Sequence, residues 1–334
     1  MKHFITQLTQ LQNPMKITPA DFRGVFGIMP TPATEDASKW QTQQSVNLSE
    51  TEKMVRFLNT AKIDILATTG TFGEGATLTW PETQLFVDCV VQTNKRSRPL
   101  FAGVTTLNTR DTIERARVLV DIGVDGLFVG RPMWLAMDDK SIVRYYQDIA
   151  AALPGVPMVA YDNPVAFKGK ISTEAYLELA KIPEVVASKH TGGPALAKDM
   201  RAVGEKMRIL PLATAWLAAA QELPELALAA WSGSVACAPT VNMALSQAIL
   251  AGDWQRAKEL SEKCNWAESA MFVGGDLAAF MDYSIQIAHL RFAAAGLVNP
   301  GPPRPPYLEL PDNYRDGAIE CGRRWKQLES EFSA

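Results

Sequence analysis

The stretch Ile65 to Glu82, ILATTGTFGEGATLTWPE, opens as a strand, turns through three glycines (Gly70, Gly73 and Gly75) and ends as a helix start. Small residues in such a turn let backbone N–H groups come close to an anion, and Thr71 adds a hydroxyl. A nucleoside-phosphate loop needs GxxxxGK followed by Ser or Thr, and no such lysine is present. A dinucleotide fingerprint needs GxGxxG at the opening of a helix. The spacing from Gly70 does not supply it, because the helix start falls at Thr79, with Glu82 as its capping partner. Two readings stand: a metal-free site for a small carboxylate, or a tight turn and nothing more.

Two further segments carry chemistry. VAYDNP ends an apolar run at Tyr161, and VVASKHTGG ends another at Lys189. An ammonium at the end of a buried strand is costly unless it is paired or neutral. Lys189 therefore reads either as a paired or snorkelling side chain, or as an amine of lowered pKa that condenses with a substrate ketone. Tyr161 reads either as rim packing or as the group that shuttles protons to the carbinolamine and a substrate hydroxyl.

These residues work together only if the fold brings their strand ends to one face. Eight short apolar runs qualify as strands: 24–32, 64–68, 100–104, 126–130, 156–161, 185–189, 207–211 and 226–231. Helix-like runs separate them, such as 111–123 and 172–183, and a first helix is expected from Ser49, with Glu52 completing a capping box. Nearly all-apolar strands alternating with helices predict an α/β fold, a closed (β/α)8 TIM barrel with its catalytic face at the C-terminal strand ends. An open doubly wound sheet is the alternative.

The expected organisation is an N-terminal arm (1–21), the barrel (22–250) and a C-terminal helical extension (251–334), with helices near 253–272, 276–295 and 313–330. NPGPPRPPY (299–307) cannot lie inside a helix and reads as a stiff connector.

A formal charge of −3 without a basic block argues against nucleic acid. No apolar stretch is long enough to predict a membrane span, nor does the start resemble a signal peptide. Four scattered cysteines predict a reducing, cytoplasmic setting rather than a disulfide framework. The histidines His3, His190 and His289 show no metal-ligand spacing, so no metal is expected.

Gly70-Thr71-Phe72-Gly73-Glu74, Tyr161-Asp162-Asn163-Pro164 and Lys189 together resemble the dihydrodipicolinate synthase and N-acetylneuraminate lyase family, over roughly residues 22 to 300. The resemblance implies a Schiff base on Lys189, no cofactor, and assembly as a homotetramer. Phe72 stands where the family's second loop hydroxyl would be, so its threonine–tyrosine relay does not carry over whole. PVAFKGK lacks the arginine that follows the tyrosine motif in the synthases. Met133-Trp134 replaces the tyrosine that those synthases donate across a subunit interface.

IMPTPAT, GTFGEGATLTW, TTLNTR, PMW and GPPRPPY resemble the hydratase-aldolase branch that degrades polycyclic aromatic compounds such as phenanthrene and naphthalene. The expected partner is then a small arylidenepyruvate. Its carboxylate would meet Gly70, Thr71 and Gly73, and its aryl ring would meet Phe72 and Trp134 as flat apolar walls. Asn163 is expected to orient water or the C4 hydroxyl, and Glu74 to share that role or to hold its neighbours. Arg131, Lys168 and His190 are the candidate partners for a second carboxylate. The expected substrate is trans-2'-carboxybenzalpyruvate, with trans-o-hydroxybenzylidenepyruvate and a non-catalytic aldolase-like regulator as alternatives.

Overall fold

Each of the eight apolar runs forms a strand in which every residue is buried: β1 (Gly24–Ile28), β2 (Ile65–Ala67), β3 (Leu100–Val104), β4 (Gly126–Val129), β5 (Met158–Tyr161), β6 (Val185–Lys189), β7 (Arg208–Leu210) and β8 (Ala229–Ser232). The computed structural model describes residues 15–275 and 277–333. Residues 1–14 of the expected arm, with His3, lie outside the described residues. All ladders are parallel, in the order β7-β6-β5-β4-β3-β2-β1-β8. A bridge between Leu212 and Trp231 joins the two ends of that order and closes the barrel.

Helices cover the barrel's outer face: α1 (Leu48–Thr60), α2 (Trp80–Asn94), α3 (Thr109–Ile122), α4 (Asp139–Ala152), α5 (Thr173–Leu179), α6 (Leu196–Val203), α7 (Ala213–Glu222) and α8 (Pro239–Leu250). The capping box at Thr79 and Glu82 forms as expected. The cap of α1 does not fall at Ser49. Asn47 caps that helix, its side chain accepting from the Glu50 amide, and Ser49 lies inside it. Asn and Ser are comparable caps, so tertiary placement decides between them.

Strand side chains alternate between two cores. The inner one fills the barrel with an aromatic ladder: Phe22 packs on Phe26 and Phe101, Phe26 on Phe128, and Phe128 stacks on Tyr161 at 4.4 Å. The outer core lies between strands and helices. Beyond α8 come α9 (Trp254–Ser269), α10 (Leu277–Asp282), α11 (Ser284–Ala295) and α12 (Asp312–Phe332). The proline-rich connector runs between α11 and α12. Among the described residues, no helix is long and apolar enough to cross a membrane.

Candidate active site

Parallel register sets the first relationship. Tyr161 and Lys189 pair across β5 and β6, so both side chains emerge inward at the C-terminal end of the barrel. Lys189 is almost wholly buried. Its Nζ lies 3.7 Å from the ring centre of Trp231 and 4.8 Å from that of Tyr161. Burial drives its pKa down to about 7, against the opposing pull of the Asp162 carboxylate. An amine in this state is half neutral near neutrality and so nucleophilic, as Schiff-base chemistry requires.

The glycine loop follows β2. Its turn is closed internally, the amides of Gly73 and Gly75 donating to Gly70 O and that of Glu74 to Thr71 O. The amides of Thr71 and Phe72 have no such acceptor among the described residues. Close approach explains the glycines: a Cβ at Gly73 would lie 2.7 Å from the Thr69 nitrogen, and one at Gly75 would lie 2.4 Å from the Thr69 oxygen. The loop delivers the Thr71 hydroxyl to within 2.5 Å of the Tyr161 hydroxyl.

Asn163 completes this group. Its Oδ1 accepts from the amides of Val165 and Ala166, which fixes the side-chain amide with its NH2 toward Thr71 Oγ1 and Tyr161 OH, each at 3.4 Å. A cleft of about 660 Å³ opens over Gly70, Thr71, Tyr161 and Asn163, with apolar walls from Leu107, Met133, Val165, Phe167, Ile285 and Tyr307. Lys189 does not itself line the cleft. It stands beside the floor, next to the Tyr161 ring.

The other expected residues go elsewhere. Phe72 does not line the cleft; its ring lies against Gly233 and 5.3 Å from the Arg291 guanidinium. Trp134 is 73% exposed, so its ring walls nothing in the single chain. Lys168 Nζ donates to the Trp134 carbonyl. Arg131 is buried and committed to Asp162, at 2.8 Å, and to the Gly169 carbonyl. Burial pushes Asp162 up to about 6, while Arg131 pulls it down.

His190 points away from Lys189. Its Nδ1 accepts from the Gly192 amide, so Nε2 carries the proton that faces Asp199 at 3.0 Å. Burial lowers its pKa, with Asp199 opposing. Glu74 is fully buried against His289 and Arg304. Burial alone would raise its pKa, but the hydrogen bond and charge of His289, with Arg304, hold it below the usual range.

Sequence reasoning missed Trp231, whose indole N–H donates to the His190 carbonyl at 2.8 Å, fixing the ring against the Lys189 amine. Its signal was available, since Trp231 ends the eighth apolar run. Among the described residues, no group of three or more His, Cys, Asp or Glu is arranged to hold a metal ion.

Imine formation with pyruvate is expected to rise with pH to about 7 and then level off, because the neutral amine is the reactive form. At a pH one below the midpoint, only about a tenth of the lysine is neutral. Initial rates of imine formation across the range decide this. A rate still climbing tenfold per pH step well above 8 would mean an ordinary lysine.

The dihydrodipicolinate synthetase family matches residues 21–318. The trans-2'-carboxybenzalpyruvate hydratase-aldolase of Nocardioides sp. (strain KP7) is 45% identical over 95% of this chain and 97% of its own. The trans-O-hydroxybenzylidenepyruvate hydratase-aldolase of Pseudomonas aeruginosa is 38% identical over 97% and 98%. The solved structure of PhdJ bound to a substrate intermediate superposes with a TM-score of 0.94 at 48% identity, covering 95% of this chain and 99% of that one.

Proposed function

The chain belongs to the dihydrodipicolinate synthetase family, and we propose that it is the hydratase-aldolase that converts trans-2'-carboxybenzalpyruvate and water to 2-carboxybenzaldehyde and pyruvate in polycyclic aromatic catabolism. It is a class I, Schiff-base pyruvate aldolase, in which the lysine's own iminium is the electron sink. The observation that carries this reading is the buried, weakly basic Lys189 beside the Thr71–Tyr161 hydroxyl pair.

The pyruvoyl carboxylate lies on the glycine loop, against the Thr71 hydroxyl and the Thr71 and Phe72 amides. Lys189 Nζ attacks the ketone carbon, and loss of water leaves an iminium conjugated with the alkene. That conjugation makes C4, the carbon next to the ring, electrophilic. Water adds there, oriented by the Asn163 NH2 and releasing a proton to solvent in the cleft, and Tyr161 gives its proton to C3 of the enamine so formed, which restores the iminium. The Tyr161 phenolate left by that transfer takes the proton of the resulting alcohol, and the C3–C4 bond breaks as the iminium accepts its electron pair and becomes the enamine. The aryl aldehyde leaves. Protonation and hydrolysis of the enamine release pyruvate, so the balance is one water consumed per turnover.

The 2-carboxy preference rests on the higher identity to the Nocardioides enzyme and on Arg115, the one Lys or Arg that lines the cleft among the described residues. Its Nε is held by Asp111 at 3.1 Å, which leaves the terminal nitrogens for a ring carboxylate. Arg115→Met is expected to lower kcat/KM for the 2-carboxy substrate by roughly tenfold or more, as for loss of a charged hydrogen bond, and to spare the 2-hydroxy substrate. Equal losses on both would assign Arg115 no part in selection.

Homotetramer formation is supported by exposed Leu107, Trp134 and Leu135 on the loops after β3 and β4, and light scattering tests it. Four free cysteines suit the reducing cytoplasm. The function itself is tested by supplying the 2-carboxy substrate, assaying both products, and trapping pyruvate with borohydride. Failure to form either product, or an adduct on a lysine other than Lys189, would refute it.

A further inference from the structure

The glycine loop is held in place by a residue from the far end of the chain. Glu74, next to Gly73, is completely buried and has φ +52, a backbone conformation that residues other than glycine rarely adopt. Its own amide donates to the Thr71 carbonyl, so the position of Glu74 is passed directly to Thr71. Its carboxylate Oε1 accepts the Arg304 backbone N–H at 2.9 Å, and Oε2 meets the Arg304 guanidinium and, at 3.0 Å, His289 Nε2.

Arg304 is itself buried, and the rest of its fork is fully used. It donates to Ser45 Oγ at 2.6 Å, to Ser45 O at 2.9 Å, to Thr31 O at 3.3 Å and to Pro32 O at 3.4 Å. Thr31 in turn donates its hydroxyl to Gly73 O at 2.7 Å. The loop is therefore fixed at Gly73 and at Glu74, both through groups tied to Arg304. The same proline-rich segment then carries Tyr307 to the wall of the cleft.

We propose that Arg304 and Glu74 are positioning residues for pyruvate binding: the proline-rich connector clamps the glycine loop so that the Thr71 hydroxyl stays on Tyr161 and the Thr71 and Phe72 amides stay aimed at the substrate carboxylate. This rests on the Schiff-base reading above. A planar fork that satisfies a carboxylate and four oxygens from two other segments is a geometry lysine cannot reproduce. A side chain serving only to anchor the extension would have no need to engage the loop next to the carboxylate site.

The test uses the full-length protein, pyruvate and borohydride. Wild type is titrated with pyruvate, and half-saturation of imine trapping is compared with Arg304→Ala, Arg304→Lys and Glu74→Gln, each checked for folding by circular dichroism. Half-saturating pyruvate is expected to rise roughly ten- to a hundredfold in Arg304→Ala and Glu74→Gln. The midpoint of the Lys189 pH profile is expected to stay in place, and added guanidinium to restore binding in Arg304→Ala but not in Glu74→Gln. Arg304→Lys is expected to recover little.

Folded variants with wild-type half-saturation would overturn the proposal and leave a purely structural tie. Should Arg304→Ala fail to fold, the nearly isosteric Glu74→Gln decides alone. If wild type itself traps no pyruvate, the Schiff-base reading fails instead, so the two failures are distinguishable.

Discussion

Lys189→Met is expected to abolish turnover, by at least about 10⁴-fold in kcat/KM, and to leave a more stable protein. Methionine has a similar length and no charge, and the site around Nζ is made of the Trp231 and Tyr161 rings. The fall of the lysine pKa from 10.5 to about 7 corresponds to discrimination against the charged form on the order of 5 kcal/mol. The unfolded chain keeps this proton up to about pH 10.5 and the folded one sheds it near 7. Between those limits the unfolded state binds more protons, so folding stability rises with pH. The burial penalty is fully present below the lower limit and is relieved toward the upper one. Denaturant melts should therefore show the variant's advantage shrinking by roughly 2 kcal/mol between pH 7 and 9. A variant that still turns over, or one less stable than wild type at pH 7, contradicts this account.

Tyr161→Phe is expected to lose roughly 10²- to 10⁴-fold in turnover, the range for a general acid–base group, with little change in melting temperature. The ring stays stacked on Phe128 and edge-on to Phe167, so the ladder inside the barrel is undisturbed. What disappears is the hydroxyl shared by Thr71 and Asn163. Borohydride trapping of pyruvate on Lys189 should persist at a reduced rate, while release of aryl aldehyde stalls, as rapid quench would resolve. Equal slowing of imine formation and aldehyde release would mean that Tyr161 acts only on the carbinolamine.

The strands were legible because their signal is local. Short runs of buried aliphatic residues have one stable use in a chain of this pattern, and all eight fall where the runs predict. Lys189 stood out as the wrong residue type for a buried strand end. The glycine loop stood out by composition.

What sequence did not disclose depends on partners far away along the chain. Glu74 reads as a residue facing substrate or holding its neighbours, and its partners are His289 and Arg304. Phe72 resembled a cleft wall, but Gly233 leaves room for its ring and Arg291 offers it a cation. Arg131 resembled a carboxylate receptor, and Asp162 has taken it. Each of these is a matter of which neighbour arrives first at a side chain of ambiguous type, and periodicity carries no record of that. The proline-rich segment shows the same limit, since its composition announces a stiff connector and says nothing of the guanidinium it delivers.

The tie between Glu74 and Arg304 spans 230 positions, and this has a consequence for biogenesis. Strands and helices of the barrel can pair as they emerge from the ribosome, since most join neighbours in the chain. The glycine loop cannot be finished in that way. Until Arg304 has left the exit tunnel, Glu74 carries a charge that the barrel would bury without its arginine partner. Closing so long a loop costs little more than closing one half its length, so the delay is one of synthesis rather than of thermodynamics. A nascent chain of this protein would thus hold a nearly complete barrel whose glycine loop is set only once the proline-rich segment bearing Arg304 has emerged.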